Sequence, residues 1–491
     1  MRIEEDSESG KFEPVESTAA LPPALSATQR GLSATQWGLV ALTAVGVMGS
    51  LALTASQAFE VFAATAGAAF LFVAAWRCLL ILAGRRPPPE VAAPDMWPRY
   101  TILAALHDEA EVVGQLIARL AAIDYPPDRL QGLLVLEAHD AATLSAALAG
   151  PRPDWLEIFV APPGRPGTKP RALNCALPHA TGHLLTVYDA EDAPDPGQLK
   201  EAASRFLADA GGRLACLQAP LRIRRAPESA TPFLDRQFAA EYASLFEITL
   251  PALTRLGLPF PLGGTSNHFR VDVLRAVGGW DSWNVTEDAD LGFRLWRQGW
   301  RIGVIRRPTW ETPPGALHDW LPQRTRWLKG YMQTWGVHTR SLGALGPRGL
   351  FALIMTLGIG LASAALYGPT LCWVLASVSV AAMAGLPPET PRLALSVLVL
   401  GAATAWLSCV LGARRAGVPY GARDMMAAPI YWSLLSLAFA QALWRLVTEP
   451  FAWDKTRHRR EVPAVPVDAA LDEAGSHRLS ATHAATPEPV A

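Results

Sequence analysis

Acidic residues recur directly after short apolar runs in the middle of the chain. Asp189 and Glu191 follow the run 184–188, and further acids follow two earlier runs, at 107–109 and 137–140. Two carboxylates separated by one loop residue are able to face the same hard divalent ion, and Mg²⁺ is commonly held by carboxylates together with phosphate oxygens. The alternative is a solvated turn rich in Asp, Pro and Gly. Taken alone, the segment 189–192 fits both interpretations equally.

A second acidic group, Thr286-Glu287-Asp288, opens a helical pattern. Acids in a first turn stabilise a helix through its dipole, which is the purely structural explanation. The same effect keeps Asp288 ionised, so that its carboxylate is able to accept a proton from a sugar hydroxyl.

Gln323, Arg326 and Trp327 are spaced at i, i+3 and i+4, so they share one face of a predicted helix. An amide, a guanidinium and an indole suit a sugar acceptor and a diphosphate, because arginine pairs with phosphate. The alternative is an interfacial helix whose Arg and Trp meet lipid headgroups. Composition alone favours that alternative.

Other nucleotide-site signals are weak. The stretch 164–169 has the wrong spacing for a P-loop, and no GxGxxG follows the first predicted strand, which argues against ATPases and dinucleotide dehydrogenases. Lys169 remains a cation able to neutralise a diphosphate, or else part of a solvated loop. The five cysteines form no CxxC pair and imply no disulfide framework.

The elements that must position these residues are short apolar runs alternating with helical patterns. The runs 100–106, 132–136, 184–188 and 214–217 are typical of buried strands. Their alternation with helices predicts an α/β domain with a mainly parallel sheet over residues 98–345. Ligands of such sheets bind beyond the carboxyl ends of the strands, where these acids lie.

Composition indicates a membrane protein. Half of the 491 residues are hydrophobic and only 18% are charged, whereas soluble proteins carry about 25%. Charge-poor flanks predict two transmembrane helices over 35–84 and about four over 346–447, with a break at Gly368-Pro369. The net charge of −1 gives no field that would attract nucleic acid.

The remaining segments are predicted to be a disordered tail (1–34), a Pro-rich linker (85–97) and a C-terminal tail (448–491). We expect a multi-pass protein of the inner (plasma) membrane with its α/β domain and both termini in the cytoplasm. Six spans would put the loop with Arg414, Arg415 and Arg423 outside, against the positive-inside tendency. Either one apolar segment is interfacial, or this loop is an exception.

The order of the motifs resembles membrane-bound family 2 glycosyltransferases of the cellulose-synthase-like type. The shared motifs are D-x-D/E (189–191), T-E-D (286–288), Q-x-x-R-W (323–327) and the stretch GGTSNHFR (263–270). The resemblance covers about residues 98–335 and extends through the membrane context to about 458. It implies a GT-A (nucleotide-diphospho-sugar transferase) domain. It also includes a W-x-K-T-x-H element at 453–458, read as a loop that gates the donor site.

The resemblance also implies site roles. Asp288, next to Glu287, would be the general base, and Asp189 with Glu191 would bind Mg²⁺ or Mn²⁺. The implied donor-binding residues are Glu109, Glu137, Asp140, Lys169, Asp189 and Glu191. Gln323, Arg326 and Trp327 would hold the acceptor and the leaving diphosphate. Glu311 stands where relatives often have two consecutive acids.

The function implied is inverting transfer from a nucleotide-sugar, expected to be a UDP-sugar, to a growing β-linked exopolysaccharide or cell-surface glycan. Other polysaccharide export proteins would then be partners. The alternative is a non-processive transferase that adds one sugar to a lipid-linked acceptor. A third hypothesis is that the protein is an inactive channel or an assembly partner.

Overall fold

The computed structural model describes residues 21–29, 31–50, 53–84, 89–224, 229–385 and 392–452. The W-x-K-T-x-H element at 453–458 lies outside these residues, as do residues 1–20 of the predicted N-terminal tail.

Ten strands lie in the described part of the chain: β1 (Tyr100–Leu106), β2 (Leu130–Glu137), β3 (Leu156–Ala161), β4 (Leu184–Tyr188), β5 (Ala193–Pro194), β6 (Leu214–Gln218), β7 (Leu221–Ile223), β8 (Asn267–Arg270), β9 (Arg301–Val304) and β10 (Thr309–Glu311). Seven form one sheet in the order β3-β2-β1-β4-β8-β6-β9. Every pairing in it is parallel except those of β8. The predicted α/β domain with a mainly parallel sheet is confirmed.

Fifteen helices accompany the strands over the same residues: α1 (Ala34–Ser50), α2 (Ala55–Gly84), α3 (Val113–Ala121), α4 (Ala141–Ala149), α5 (Lys169–Ala176), α6 (Gln198–Leu207), α7 (Pro232–Ser244), α8 (Leu250–Leu256), α9 (Val271–Ala276), α10 (Glu287–Arg297), α11 (Leu317–Thr339), α12 (Gly346–Leu353), α13 (Ile359–Met383), α14 (Arg392–Ala416) and α15 (Ala422–Thr448). Helix α3 buries Val113, Leu116, Ile117 and Leu120, which lie on one face of the helix. A second, three-stranded sheet has the order β5-β10-β7.

Four helical segments are long and apolar enough to cross a membrane: Ala64–Gly84, Gly346–Met383, Leu395–Ala416 and Ala422–Thr448. Helix α1 is also apolar and has 17 residues. A π-helical turn at Ile354–Gly358 joins α12 to α13, so the two run on as one rod.

The predicted break at Gly368-Pro369 is wrong, because α13 continues through Pro369. Proline removes one backbone hydrogen bond, but membrane helices tolerate it where neighbouring helices satisfy the freed groups. Here the Gly368 N–H donates to Ser436 Oγ on α15 at 2.9 Å. Residues 346–447 therefore contain three apolar helical segments in the described chain, not about four.

Helices α2, α12 and α14 each have one end on the α/β domain. The Trp296 indole donates to the Leu345 carbonyl, just before α12, at 3.0 Å. At the other two helices, Arg415 of α14 donates to the Gly84 carbonyl at the end of α2 at 2.8 Å, and also to the domain carbonyl of Glu247.

Helix α15 differs, because both of its ends touch the domain. Near its start, Asp424 pairs with Arg236 of α7 at 2.6 Å. Just beyond its end, Lys329 of α11 donates to the carbonyls of Glu449 and Ala452 at 3.0 and 2.7 Å. Helix α15 therefore packs along α11 of the domain, and it also packs along α13. Its outward face exposes Met426, Ile430, Leu437, Trp444 and Val447.

The expectation of a disordered tail over 1–34 is wrong for the described residues 21–29 and 31–34. Arg340 donates to the carbonyls of Ser26 and Gln29, each at 2.8 Å. Asp281 accepts hydrogen bonds from Ser26 Oγ at 3.1 Å and the Ala27 N–H at 2.7 Å. The polar composition of this segment did not reveal these contacts, because their partners are distant in sequence.

Candidate functional site

The carboxyl ends of β1, β2 and β4 open into one cavity of about 870 Å³. The cavity is lined by nearly all of the site residues inferred from sequence, namely Glu109, Glu137, Lys169, Asp189, Glu191, Glu287, Asp288, Gln323, Arg326 and Trp327. The parallel order of these strands is what brings their ends together, as the sheet rule predicts.

Asp189 follows β4 and is paired with Lys169, the first residue of α5. Burial alone would lower the pKa of Lys169, but Asp189 and Glu287 outweigh it and hold that pKa above its usual value. Lys169 Nζ also donates to the Gly264 carbonyl at 2.7 Å. This lysine therefore ties the loop after β4 to the Gly-rich loop before β8.

Asp192 is fully buried and braces the same loop. One of its oxygens accepts the Asp189 N–H at 2.7 Å and the Thr265 hydroxyl. Burial, reinforced by the neighbouring Asp189, raises the pKa of Asp192 to about 8. Asp192 thus shapes the turn on which Asp189 and Glu191 are carried.

Glu287 and Asp288 lie in the first turn of α10 and face the cavity. Burial, reinforced by Asp288, raises the pKa of Glu287 to about 7. Burial also raises the pKa of Asp288, although Lys169 and Arg326 oppose the shift, so the expectation that the helix dipole keeps this pKa low is wrong. A Cβ at Gly264 would lie 3.6 Å from Asp288 Oδ2, so the Gly-rich loop passes close to this carboxyl group.

Glu311 on β10 is a further buried acid of the cavity, and no site role was inferred for it from the sequence. Burial and the neighbouring Asp192, Glu191 and Asp189 raise its pKa well above the usual range. One signal in the sequence indicated Glu311: it stands where members of the family that the sequence resembles often have two consecutive acids.

The acids outnumber the cations in this part of the cavity. Six carboxyl groups belong to the cluster, those of Asp189, Glu191, Asp192, Glu287, Asp288 and Glu311. Lys169 and Arg326 lower the pKa values of Glu287 and Asp288, and Arg119 donates to the backbone carbonyls of Glu191 and Asp192. Oxygen donors with excess negative charge fit a hard divalent ion.

The Q-x-x-R-W face of α11 forms the opposite wall. Arg326 donates to the Val285 carbonyl, next to the T-E-D motif, at 3.1 Å. Gln323 Oε1 is buried and has no hydrogen-bond partner among the described residues. Trp327 stacks on Phe238 of α7 with ring centroids 6.2 Å apart. The predicted shared face is thus turned towards the acids.

Helices α10 and α11 approach closely at Gly330. A Cβ at this position would clash with the Thr286 side chain. Further along, Asp290 is fully buried, accepts from Arg294 Nε at 3.0 Å and lies 3.1 Å from His338 Nε2 of α11. These contacts set the distance between the T-E-D and Q-x-x-R-W motifs.

Arg324, between the motif residues Gln323 and Arg326, was not singled out from the sequence. Its buried guanidinium pairs through both nitrogens with Glu241 of α7, at 2.8 and 2.6 Å. It also lies over the Trp327 ring, 4.6 Å from the centroid. Arg324 therefore holds Trp327 in position and locks α11 against α7.

Asp140 does not line the cavity, unlike the neighbouring His139. Its two oxygens accept backbone N–H groups, Oδ1 from Thr143 at 3.1 Å and Oδ2 from Asp108 at 2.6 Å. Burial opposes ionisation, but the hydrogen bonds hold the pKa of Asp140 below its usual value. The structure therefore gives Asp140 the role of a cap for α4 and offers no support for the expected nucleoside contact.

His107, Asp108 and Asp140 have ligand atoms close enough together to share a metal ion. Because both Asp140 oxygens already accept backbone hydrogen bonds, we assign no ion there. Glu137 is the acid that faces the cavity at the end of β2, with Arg171 Nη1 3.7 Å away.

A family model and several known proteins match this chain. A family model described as "Glycosyl transferase family group 2" matches residues 184–445, more than half of the chain. The β-monoglucosyldiacylglycerol synthase of Synechocystis sp. is 26% identical over 269 residues, 53% of this chain and 54% of that protein. The cellulose synthase 1 catalytic subunit (UDP-forming) of Komagataeibacter xylinus is 28% identical over 283 residues, 55% of this chain and 36% of that protein.

Among solved structures, mannosyltransferase PcManGT from Pyrobaculum calidifontis, in complex with GDP-Man and Mn²⁺, matches with a TM-score of 0.49 and 20% identity. The match covers 79% of this chain and 98% of that one. The chain spans about half of the synthase and about a third of the cellulose synthase subunit.

The family match runs from β4 to α15, so it includes the loop of Asp189 and Glu191, the start of α10 and the whole of α11. Together with the mainly parallel sheet, it confirms the GT-A class of α/β fold. The chain belongs to glycosyl transferase family group 2.

Proposed function

We propose that this protein transfers a sugar, with inversion, from a nucleotide-sugar to a hydroxyl group of an acceptor presented from the membrane. One observation carries the proposal. A single cavity joins the acids at the strand ends to the Q-x-x-R-W face of α11 and continues between α2, α13 and α14. Donor chemistry and a membrane-held acceptor are thereby able to meet. A UDP-sugar is the expected donor.

The donor would lie across the ends of β1, β2 and β4. Glu109 and Glu137 line the part of the cavity next to β1 and β2, and they are the candidates for contacts with the nucleoside. Asp189 and Glu191, with the diphosphate oxygens, would hold Mg²⁺ or Mn²⁺. When bound, the ion supplies positive charge to the diphosphate as it departs. Lys169 adds a fixed positive charge beside Asp189.

Asp288 is the proposed general base. Its pKa is raised by burial, which makes its carboxylate a stronger proton acceptor than an exposed aspartate. The acceptor oxygen attacks the anomeric carbon from the side opposite the diphosphate, and its proton passes to Asp288. The bond between that carbon and the diphosphate breaks in the same step, so the configuration inverts.

The acceptor would bind on α11. Gln323 Oε1 is buried without a hydrogen-bond partner in the described chain, so it is free to accept an acceptor hydroxyl. Trp327, held by Arg324, offers a ring face against which a sugar is able to stack. Arg326 suits the departing diphosphate, because a guanidinium pairs well with phosphate oxygens.

We further propose that the α/β domain is cytoplasmic, with α1, α2, α12–α13 and α14 crossing the inner membrane and α15 lying on its surface. The contacts of both α15 ends with the domain support this arrangement. Arg414, Arg415 and Arg423 then lie on the cytoplasmic side, as the positive-inside tendency requires.

The test uses the full chain in phospholipid nanodiscs with a panel of UDP- and GDP-sugars and Mg²⁺ or Mn²⁺. Wild type should release nucleoside diphosphate from one donor. Asp288→Asn should reduce this rate by about 10²- to 10⁴-fold while still binding the donor. Asp272→Asn, at an exposed pair with Arg270, is the matched control and should remain active. Equal rates for wild type and Asp288→Asn would refute the assignment of the base.

A further inference from the structure

The membrane end of the cavity has mainly apolar and small-residue walls. They are built by Ala69, Phe70 and Val73 of α2, Ile359, Ala362, Leu366 and Tyr367 of α13, and Val397, Leu398, Gly401 and Ala405 of α14. Leu366 is 62% exposed although it lines the cavity, so the wall is open towards the bilayer. An acyl chain fits such a surface because burying it removes apolar area from water.

At the membrane end of the cavity, few polar groups are available to replace the hydrogen bonds that the hydroxyls of a sugar polymer make with water. The hydroxyls of the α12–α13 rod that line this end are those of Thr356, Ser363, Tyr367 and Thr370. Thr356 Oγ1 already donates to the Ala352 carbonyl at 2.7 Å. A polysaccharide strand presents hydroxyls along its whole length, and unpaired hydroxyls are unfavourable in an apolar environment. The walls therefore favour lipid over polymer.

One charged residue interrupts the apolar wall of α2. Arg77 is half-buried, lines the cavity, and makes no hydrogen bond or ion pair with any residue that the structure describes. It lies seven residues before Gly84, about 10 Å along the helix from the domain. That depth is on the headgroup side of a bilayer whose apolar core is about 30 Å thick. Ionisable residues inside spans that face a cavity usually serve function.

The other charged groups of the nearby wall are already paired. Glu241 is engaged by Arg324 and accepts from the Tyr431 hydroxyl at 2.5 Å. Lys169 is paired with Asp189. Arg77 is thus a cation without a counter-ion in the described cavity wall, and a guanidinium suits phosphate oxygens.

We propose that the acceptor is a phospholipid with a hydroxyl-bearing headgroup. Arg77 binds its phosphate, and its acyl chains lie between α2, α13 and α14. This inference rests on the proposed sugar transfer. A headgroup oxygen forms the new bond to the anomeric carbon and its proton goes to Asp288. The bond to the diphosphate breaks, and its electron pair leaves with the nucleoside diphosphate. One sugar is added to each lipid, and no polymer forms.

The test compares nanodiscs of phosphatidylcholine doped with either phosphatidylglycerol and phosphatidylinositol or with diacylglycerol. Labelled sugar should enter a lipid product when phosphatidylglycerol and phosphatidylinositol are present, and not when diacylglycerol is present. For Arg77→Gln, the KM for the phosphate-bearing lipids should rise roughly tenfold to hundredfold, as expected for the loss of a hydrogen bond to a charged group. Arg77→Lys should restore part of the loss, because it keeps the charge.

The control is Arg414→Gln, which removes an exposed arginine of α14 outside the cavity and should leave the lipid KM unchanged. Donor hydrolysis without acceptor should be the same in Arg77→Gln as in wild type, which shows a folded donor site. Equal lipid KM values for wild type and Arg77→Gln, use of diacylglycerol, or a long polymer as product would each overturn the inference. Nucleoside diphosphate release without lipid labelling would also overturn it, yet leave the proposed transfer standing; no release from any donor would refute that transfer itself.

Discussion

In and around the cavity, the aspartates have different hydrogen-bond and ion-pair partners. Asp189 is paired with Lys169, whereas Asp192 accepts hydrogen bonds from its own loop and from Thr265. The charges of Lys169 and Arg326 lower the pKa of Asp288. Because burial raises the pKa values of Asp192 and Asp288, the neighbouring cations help to decide which of them is ionised near neutral pH.

Lys169→Met should therefore change the pH dependence of the reaction. Lys169 lowers the pKa of Asp288, so its removal raises that pKa further. A general base works when ionised, and its activity is lost as the pH falls through its pKa. The acid limb of the kcat profile should move to higher pH by about one unit. The measurement is kcat against pH at saturating donor and Mn²⁺.

Lys200→Met is the matched control for this prediction. Lys200 forms an exposed ion pair with Asp124 away from the cavity, so its removal should leave the acid limb in place. An unchanged limb in Lys169→Met, or an equal shift in both variants, would show that Lys169 does not set the ionisation of the base.

Ten of the eleven site residues inferred from the sequence line the cavity, because motif spacing is a local property. Asp140 shows the limit of predicting site residues from motif spacing. An acid after a strand looks the same in sequence whether it faces a ligand or caps the next helix, and here the backbone N–H groups of Thr143 and Asp108 take both oxygens. Glu311 reaches the cluster from a separate sheet, and no short-range pattern predicts that contact.

At the scale of elements, the site depends on how α11 packs against the start of α10. The two motifs are more than thirty residues apart in sequence. They are brought together where Gly330 leaves room for the Thr286 side chain, and Arg326 then reaches the Val285 carbonyl. The sequence predicted both helices, but nothing local to either one predicts this close approach.

Gly330→Ala should push α11 away from α10 and reduce kcat/KM roughly tenfold to hundredfold, because small displacements of catalytic groups have large effects on rate. Steady-state kinetics in nanodiscs would measure it. Gly336→Ala is the matched control in the same helix, since a Cβ there meets nothing within 4 Å. The control should keep full activity and unfold at a slightly higher temperature, because alanine favours helix.

Thermal unfolding of both variants separates misfolding from misplacement. If Gly330→Ala melts close to wild type and is as active as Gly336→Ala, the spacing of the two helices does not govern the rate. A folded but slow Gly330→Ala supports the role of this contact.

At the scale of the whole molecule, the proposed membrane topology rests on where the helix ends lie. The hairpin of α1 and α2, the rod of α12 and α13, and α14 each have an end at the domain, whereas α15 has both. Hydropathy treats α15 like the others, because it measures only composition along the chain. The contacts at both of its ends distinguish it.

Single cysteines in a cysteine-free background test this topology. Arg414→Cys should react with a membrane-impermeant maleimide from the same side as a domain marker, Lys200→Cys. Met383→Cys, at the far end of α13, should react from the opposite side. Labelling would be compared in inverted and right-side-out vesicles. If Arg414→Cys reacts together with Met383→Cys, the loop before α15 lies outside and the proposed topology is wrong.

The sequence by itself determined the α/β class, the apolar segments and the order of the acidic and Q-x-x-R-W motifs, because periodicity and spacing are properties of neighbouring residues. Only the tertiary structure decided that Asp140 is a cap, that Glu311 joins the acids, that α13 passes through Pro369 and that α15 lies along the domain. Each of these depends on contacts between residues far apart in the chain. The unpaired Arg77 belongs with them, since its surroundings are formed by helices from both ends of the sequence.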